Sequence, residues 1–226
     1  MSHMTEEHHD RSTAIAAAVE AHTGGEAFSE ALGGPLGIIE SGLPTLVFVI
    51  AYTAFGQDAT LASIVAGAVG VLTTFARLAR RQTLRYALSG LAGLGLAIFV
   101  VSRTGKAEDF FLPGLLFNAG YASVAVISNL VRWPLLGVAI GLTTNQGTAW
   151  RSDPARVRVY RLGTWLWAGL FLLRLAVQLP LYLAGSVVEL GVARIVMGVP
   201  LFAVGIWMTW LLLRRHGAKV AAELSV

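Results

Sequence analysis

Two runs of this chain place polar groups inside otherwise apolar stretches. Residues 109–134 are long enough to cross a bilayer and carry Asn118, Tyr121, Ser128, Asn129 and Arg132, while residues 162–183 carry Arg174 and Gln178. Hydrocarbon offers such groups no water, so each needs a partner in the protein or a polar cavity. The chemistry these residue types support is binding. A guanidinium presents a planar fork of donors, which favours an anion or a carboxylate.

Helical spacing sorts these residues. Asn118, Tyr121, Ala125, Ser128 or Asn129, and Arg132 recur at steps of three and four, which places them on one helical face. Gly114, Ala122 and Ala125 let another helix come close. Arg174 and Gln178 share a face at i and i+4. Arg174 is about nine residues from the outer end of its span and Asn118 about eight or nine from the outer end of its own, so at about 1.5 Å per residue they lie at one depth and are expected to meet. A charge near mid-bilayer costs at least about 2.5–3.5 kcal/mol on insertion scales, so Arg174 must face protein or water. Glu189 and Arg194 fall in the first two turns of the last span, near the outer surface, where they are expected to snorkel or pair. Glu40, at the inner start of the first span, is expected to pair with Arg85 or Arg77. Two readings stay open for Asn118, Arg174 and Gln178: an interhelical clamp that fixes packing, or a site for a solute, an ion or a lipid headgroup. Tyr121, Glu189 and Arg194 complete the candidate binding set.

The elements that position these residues are all helices. The chain has 226 residues, 55% hydrophobic and only 13% charged, about half the charged share of a soluble domain. Its charges cluster and leave uncharged blocks of the length a membrane helix needs. The fold class expected is all-α: a polytopic membrane protein with six spans at about 38–55, 59–76, 86–101, 110–131, 162–183 and 188–213. Residues 1–36 read as an acidic, flexible, cytoplasmic tail with short helices, and 217–226 as a cytoplasmic C-terminal tail. No basic segment precedes an early apolar run, so the first span is expected to act as the insertion signal.

Residues 133–144 are apolar but short, and three placements suit them: an extension of the fourth helix past a kink at Pro134, an interfacial segment, or a seventh crossing. Charge decides between six and seven. With six spans and both termini inside, the basic clusters 77–85, 151–161 and 214–219 all face the cytoplasm, and the outer loops keep only Arg103 and Lys106. Arg132 and Trp133 then serve as inner-interface anchors. The location expected is the bacterial cytoplasmic membrane, with the lipid bilayer as one partner and other envelope proteins or a second copy as further ones.

Leu43-Pro-Thr-Leu-Val-Phe-Val-Ile-Ala-Tyr52 and Leu112-Pro-Gly-Leu-Leu-Phe-Asn-Ala-Gly-Tyr121 match at Leu, Pro, Leu, Phe and Tyr without a gap. Three spans separate the copies, so a repeat of this kind is an inverted three-plus-three one, an architecture common among transporters.

Enzymatic motifs find no support. Asp10, Asp58, Asp109 and Asp153 are isolated, and no H-E-x-x-H occurs. There is no cysteine, which excludes disulfides, thiolate metal sites and cysteine nucleophiles. His3, His8, His9 and His22 sit in the tail and His216 in the C-terminal basic cluster. No enzyme activity, cofactor or metal is expected. The net charge of +4 resides in short loops, where it sets topology, and does not indicate nucleic acid.

An ordered set of motifs then carries a resemblance. It comprises Leu43-Pro-x-Leu-Val-Phe48 with Tyr52, the basic loop around 77–81, Glu108-Asp-Phe-Phe111, and Ser128 through Arg132-Trp-Pro-Leu-Leu136. It continues with Trp165-Leu-Trp-Ala-Gly-Leu-Phe171, Arg194 and Leu213-Arg-Arg-His216. Over about 37–216 the chain resembles the intracellular septation protein A family of bacterial inner-membrane proteins. It resembles still more an actinobacterial-type membrane family classed only as a domain of unknown function. The resemblance implies envelope or septation-related maintenance through partner or lipid contacts, and it supplies no catalytic residues. Arg174 and the acidic tail depart from the septation pattern. The alternative function is a small-solute or ion transporter or channel around Asn118, Arg174 and Gln178.

Overall fold

A computed structural model describes the backbone of residues 34–79, 84–143 and 147–223, with side chains at 42–76, 90–143 and 147–214. The N-terminal tail with its histidines, the side chains of Glu40, Arg77 and Arg85, and residues 224–226 lie outside the described residues.

Described residues form helices α1 (Gly34–Ala54), α2 (Ala59–Ala79), α3 (Leu84–Thr104), α4 (Leu112–Leu130), α5 (Leu135–Thr143), α6 (Pro154–Leu183), α7 (Val187–Val196) and α8 (Val199–Glu223). Short 3-10 turns occupy Ala107–Phe111 and Ala149–Ser152. By length and composition, four of the described stretches suffice to cross a membrane: Ala59–Ala76, Ala107–Leu130, Pro154–Leu183 and Val187–Arg214. Gly42–Ala54 and Gly90–Thr104 are shorter apolar helices. Only 11% of the Pro154–Leu183 window is buried inside the protein, so its apolar side chains face outward, as lipid-facing residues do.

Two aromatic knots hold the helices. In the first, the Phe48 ring of α1 stacks on Phe110 at 3.9 Å and meets Phe111 edge-on at 5.8 Å, which ties the turn before α4 to α1. Val187 and Leu190 of α7 complete that cluster. Tyr182, near the end of α6, donates its hydroxyl proton to the buried Asp109 carboxylate and closes the same end of the bundle.

The second knot explains residues 133–144. Val131 caps α4, Arg132 adopts φ 60°, Arg132 N–H donates to Asn129 O at 3.2 Å, and Trp133 N–H donates to Ser128 O at 2.8 Å. This is a Schellman stop built on Arg where Gly is usual. Pro134 follows and the chain turns away, so α5 is a separate helix and does not extend α4. Its nine residues rise about 13.5 Å, less than half the hydrocarbon thickness, which excludes a crossing. Instead α5 packs beside the start of α6. Leu136 N–H donates to Thr164 Oγ1 at 3.1 Å. Trp150, 2% exposed, lies against Gly137, where an added Cβ would sit 3.0 Å from its ring. Tyr160 meets the Trp150 ring edge-on at 5.6 Å.

Two spans differ from their expected form. The basic loop 151–161 is helical from Pro154 onward. The Asp153 side chain caps it by accepting from Ala155 N–H at 2.8 Å and Arg156 N–H at 3.3 Å, with Pro154 in the first turn where its missing N–H costs nothing. The last span is not one helix. It breaks at Met197-Gly198, between α7 and α8, because Pro200 has no N–H for the preceding turn.

Candidate functional site

The break between α7 and α8 opens one side of a cavity of about 820 Å³, whose other walls come from α1, α4 and α6. Asn118, Tyr121, Arg174, Gln178 and Arg194 all line it, together with Thr45 of α1 and Gly198 at the break. Five of the six candidate binding residues are therefore brought together, from three different helices.

Arg174 reaches from α6 to the break. Its Nη2 donates to Gly198 O at 2.8 Å and also to Met197 O. An added Cβ on Gly198 would lie 3.0 Å from Arg194 O, so the tight turn that presents these carbonyls favours glycine. Arg174 is nine residues before the α6 terminus at Leu183, about 14 Å along the helix and near the middle of a 30 Å hydrocarbon layer.

Arg194 enters from α7. Its guanidinium lies flat over Gly114 of α4, where an added Cβ would be 2.9 Å from Nη1, and its Cζ sits 5.7 Å from the Phe111 ring centre. Gly114 is thus the floor that admits Arg194. The two guanidinium groups are near enough to repel each other, and neither has an ion-pair partner among the described residues. No acidic residue occurs among the described lining residues. Gln178 is 5% exposed, lines the same cavity, and has no hydrogen-bond partner among the described residues.

Several expectations need correction. Asn118 and Arg174 share the cavity but do not hydrogen bond. Asn118 Nδ2 donates instead to Gly114 O of its own helix at 2.9 Å. Arg174, Asn118 and Gln178 therefore do not form a mutual clamp; Arg174 alone ties α6 to the α7–α8 break. Glu189 is exposed, does not line the cavity and makes no pair with Arg194. Five residues along a helix of 3.6 per turn turn the two side chains about 140° apart, so they face different ways.

The polar stripe of 118–132 also divides. Asn118 and Tyr121 face the cavity, and Tyr121 lies 5.4 Å from the Phe171 ring. Asn129, 1% exposed, faces α6 and donates to Arg161 O at 3.2 Å. Ser128 Oγ donates to Ala125 O at 2.8 Å and receives Leu135 N–H, which helps the turn into α5. Arg132 has left the helix altogether and is exposed, and Trp133 carries the Arg151 guanidinium at 4.1 Å from its ring centre. Sequence reasoning missed the break itself and the contribution of Thr45. Gly198-Val-Pro200 is the local signal for the first.

Apolar helices with outward-facing side chains, around a cavity that holds two arginines, define an α-helical membrane protein. Its helices contact lipid. The chain belongs to the family described as protein of unknown function (DUF3159), whose model matches residues 32–220. No curated protein and no solved structure matches it.

Proposed function

We propose that this protein is a multi-pass protein of the bacterial cytoplasmic membrane that binds an anion within the bilayer and serves envelope maintenance through that contact. One observation carries the reading: Arg174 and Arg194 face one cavity of about 820 Å³ with no ion-pair partner among the described residues. An unpaired cation at the depth of Arg174 carries a large insertion cost, and an anion between the two guanidinium groups offsets their mutual repulsion. The lining adds amide and hydroxyl groups from Asn118, Gln178, Thr45 and Tyr121, which orient a bound group rather than move protons. We read the protein as a binder and not as an enzyme. The septation resemblance supports the envelope role.

Six crossings with both termini inside is the topology we adopt, since it keeps the basic clusters cytoplasmic. In it α7 and α8 together make the sixth crossing. The inverted repeat fits this arrangement: Thr45 and Gly114 hold matching positions in the two Leu-Pro segments, and both line the cavity. A second reading, transport, is favoured by one feature. The break at Met197-Gly198 puts backbone carbonyls beside the site, as the discontinuous helices of secondary transporters do.

The test is thermal stability of purified protein in detergent against a panel of carboxylates, phosphates and anionic lipids. The wild type should be stabilised by at least one class, and Arg174→Gln and Arg194→Gln should not. A wild type indifferent to the whole panel sinks the anion reading. Flux of the stabilising anion into proteoliposomes separates transport from binding alone.

A further inference from the structure

We infer that the occupant of this cavity is an amphipathic anion, a phosphate-headed lipid, which enters sideways from the bilayer. This rests on the anion-binding reading and names its ligand class. The argument begins with where the cavity opens. Leu46, Phe117, Tyr121 and Phe202 line it, yet they are 44%, 55%, 55% and 37% exposed. Apolar side chains that are at once wall and outer surface mark a mouth on the lipid-facing side of the bundle.

The second step is the distribution of chemistry. Arg174, Arg194 and the unpartnered, 5% exposed Gln178 supply the polar contacts, while most of the remaining wall is aliphatic or aromatic. A small hydrated anion would fill a fraction of about 820 Å³ and would leave the apolar wall without a partner. A volume of that size is typical of organic ligands. A headgroup held by the two cations, with a chain lying along Phe117 and Leu46, satisfies both halves of the lining.

The third step is the resting state of the cation. Arg174 is held by the carbonyls of Met197 and Gly198 across the helix break. Gly198 O also accepts Phe202 N–H at 3.1 Å, so it keeps a donor when Arg174 leaves. An arriving headgroup competes for a guanidinium whose departure leaves at most the Met197 carbonyl short of a donor. Arg194, by contrast, lies over Gly114 and the Phe111 ring, with no carbonyl to exchange.

The experiment compares four probes on full-length protein in detergent at fixed ionic strength: inorganic phosphate, dihexanoyl phosphatidic acid, dioctanoyl phosphatidic acid and dioctanoylglycerol. Melting temperature is followed with wild type, Arg194→Gln and Phe117→Ala. Phosphatidic acid should stabilise the wild type, with the apparent Kd about ten-fold tighter for the dioctanoyl than for the dihexanoyl form, since the chain in the cavity buries two further methylenes and the other chain stays in the micelle. Phosphate and the neutral lipid should give no comparable shift. Arg194→Gln should abolish the response. Phe117→Ala, at a wall position 55% exposed, should flatten the chain-length dependence while keeping a response to the headgroup. Equal stabilisation by phosphate and phosphatidic acid overturns the amphipathic ligand but leaves the anion site standing. Equal stabilisation by the neutral lipid overturns both, and a silent response to all four overturns the amphipathic phosphate.

Discussion

Arg174→Leu is the substitution whose outcome the geometry constrains most closely. The wild-type side chain donates to Met197 O and, at 2.8 Å, to Gly198 O. Leu removes both donations. Gly198 O retains Phe202 N–H at 3.1 Å, so at most the Met197 carbonyl is left short, at about 1–3 kcal/mol. Against that stands the charge itself, which costs about 2.5–3.5 kcal/mol near mid-bilayer and repels Arg194. The two sides nearly cancel. The variant should fold, with a change in unfolding free energy within about 2 kcal/mol of zero. Unfolding in mixed micelles by titration with a denaturing detergent, followed by Trp fluorescence, measures this. The same preparation should lose all anion-dependent stabilisation. A loss above about 4 kcal/mol, or failure to fold, would show that Arg174 is a structural keystone and that the two contributions do not cancel.

Four further substitutions probe the packing of the helices. Gly141→Ala should destabilise by about 1–3 kcal/mol, since its Cβ would meet Gly147 O, a backbone atom, and the Trp150 indole 3.1 Å away; an unchanged detergent midpoint would refute the packing of α5 on Trp150. Tyr182→Phe should cost about 1–3 kcal/mol by leaving the buried Asp109 carboxylate without its phenol donor, and Asp109→Asn should lessen that cost in a double-mutant cycle. Asp153→Ala should cost about 1 kcal/mol through loss of the α6 cap, with slower hydrogen exchange in the wild type at Ala155 and Arg156 than in the variant.

What the sequence made legible was chiefly what hydrocarbon dictates. Length, apolar runs and clustered charge indicate spans because a bilayer imposes one length and one sign rule. Depth along a helix is also legible, since counting residues to the helix ends puts Asn118 and Arg174 at one level. Which way each side chain turns was not. Steps of three and four put Asn118 and Asn129 on the same broad face of α4, but a wide face serves two neighbours. One edge borders the cavity and the other meets α6, where Asn129 donates to Arg161 O. Arg132 escaped because its left-handed φ of 60° is a tertiary choice at a position where the local rule asks for Gly. The helical start at Pro154 had a readable cap in Asp153-Pro154, and the basic residues after it drew attention to a loop instead.

The break at Met197-Gly198 is the feature that joins these threads. A straight last span would present no free carbonyls to α6, and a mid-bilayer Arg174 would then need an acid or water. Bending the span at glycine gives the cation a backbone partner that requires no buried carboxylate. Arg194, at the end of α7 just before the break, lies over Gly114 of α4, where a guanidinium finds no Cβ in its way. A carboxylate partner would hold Arg174 as a closed pair and leave little for a ligand to gain. Neutral carbonyls hold it more weakly, so an anion can displace them. The cavity's charge is thus kept available by the choice of partner, and that choice follows from where the chain places its glycine and proline.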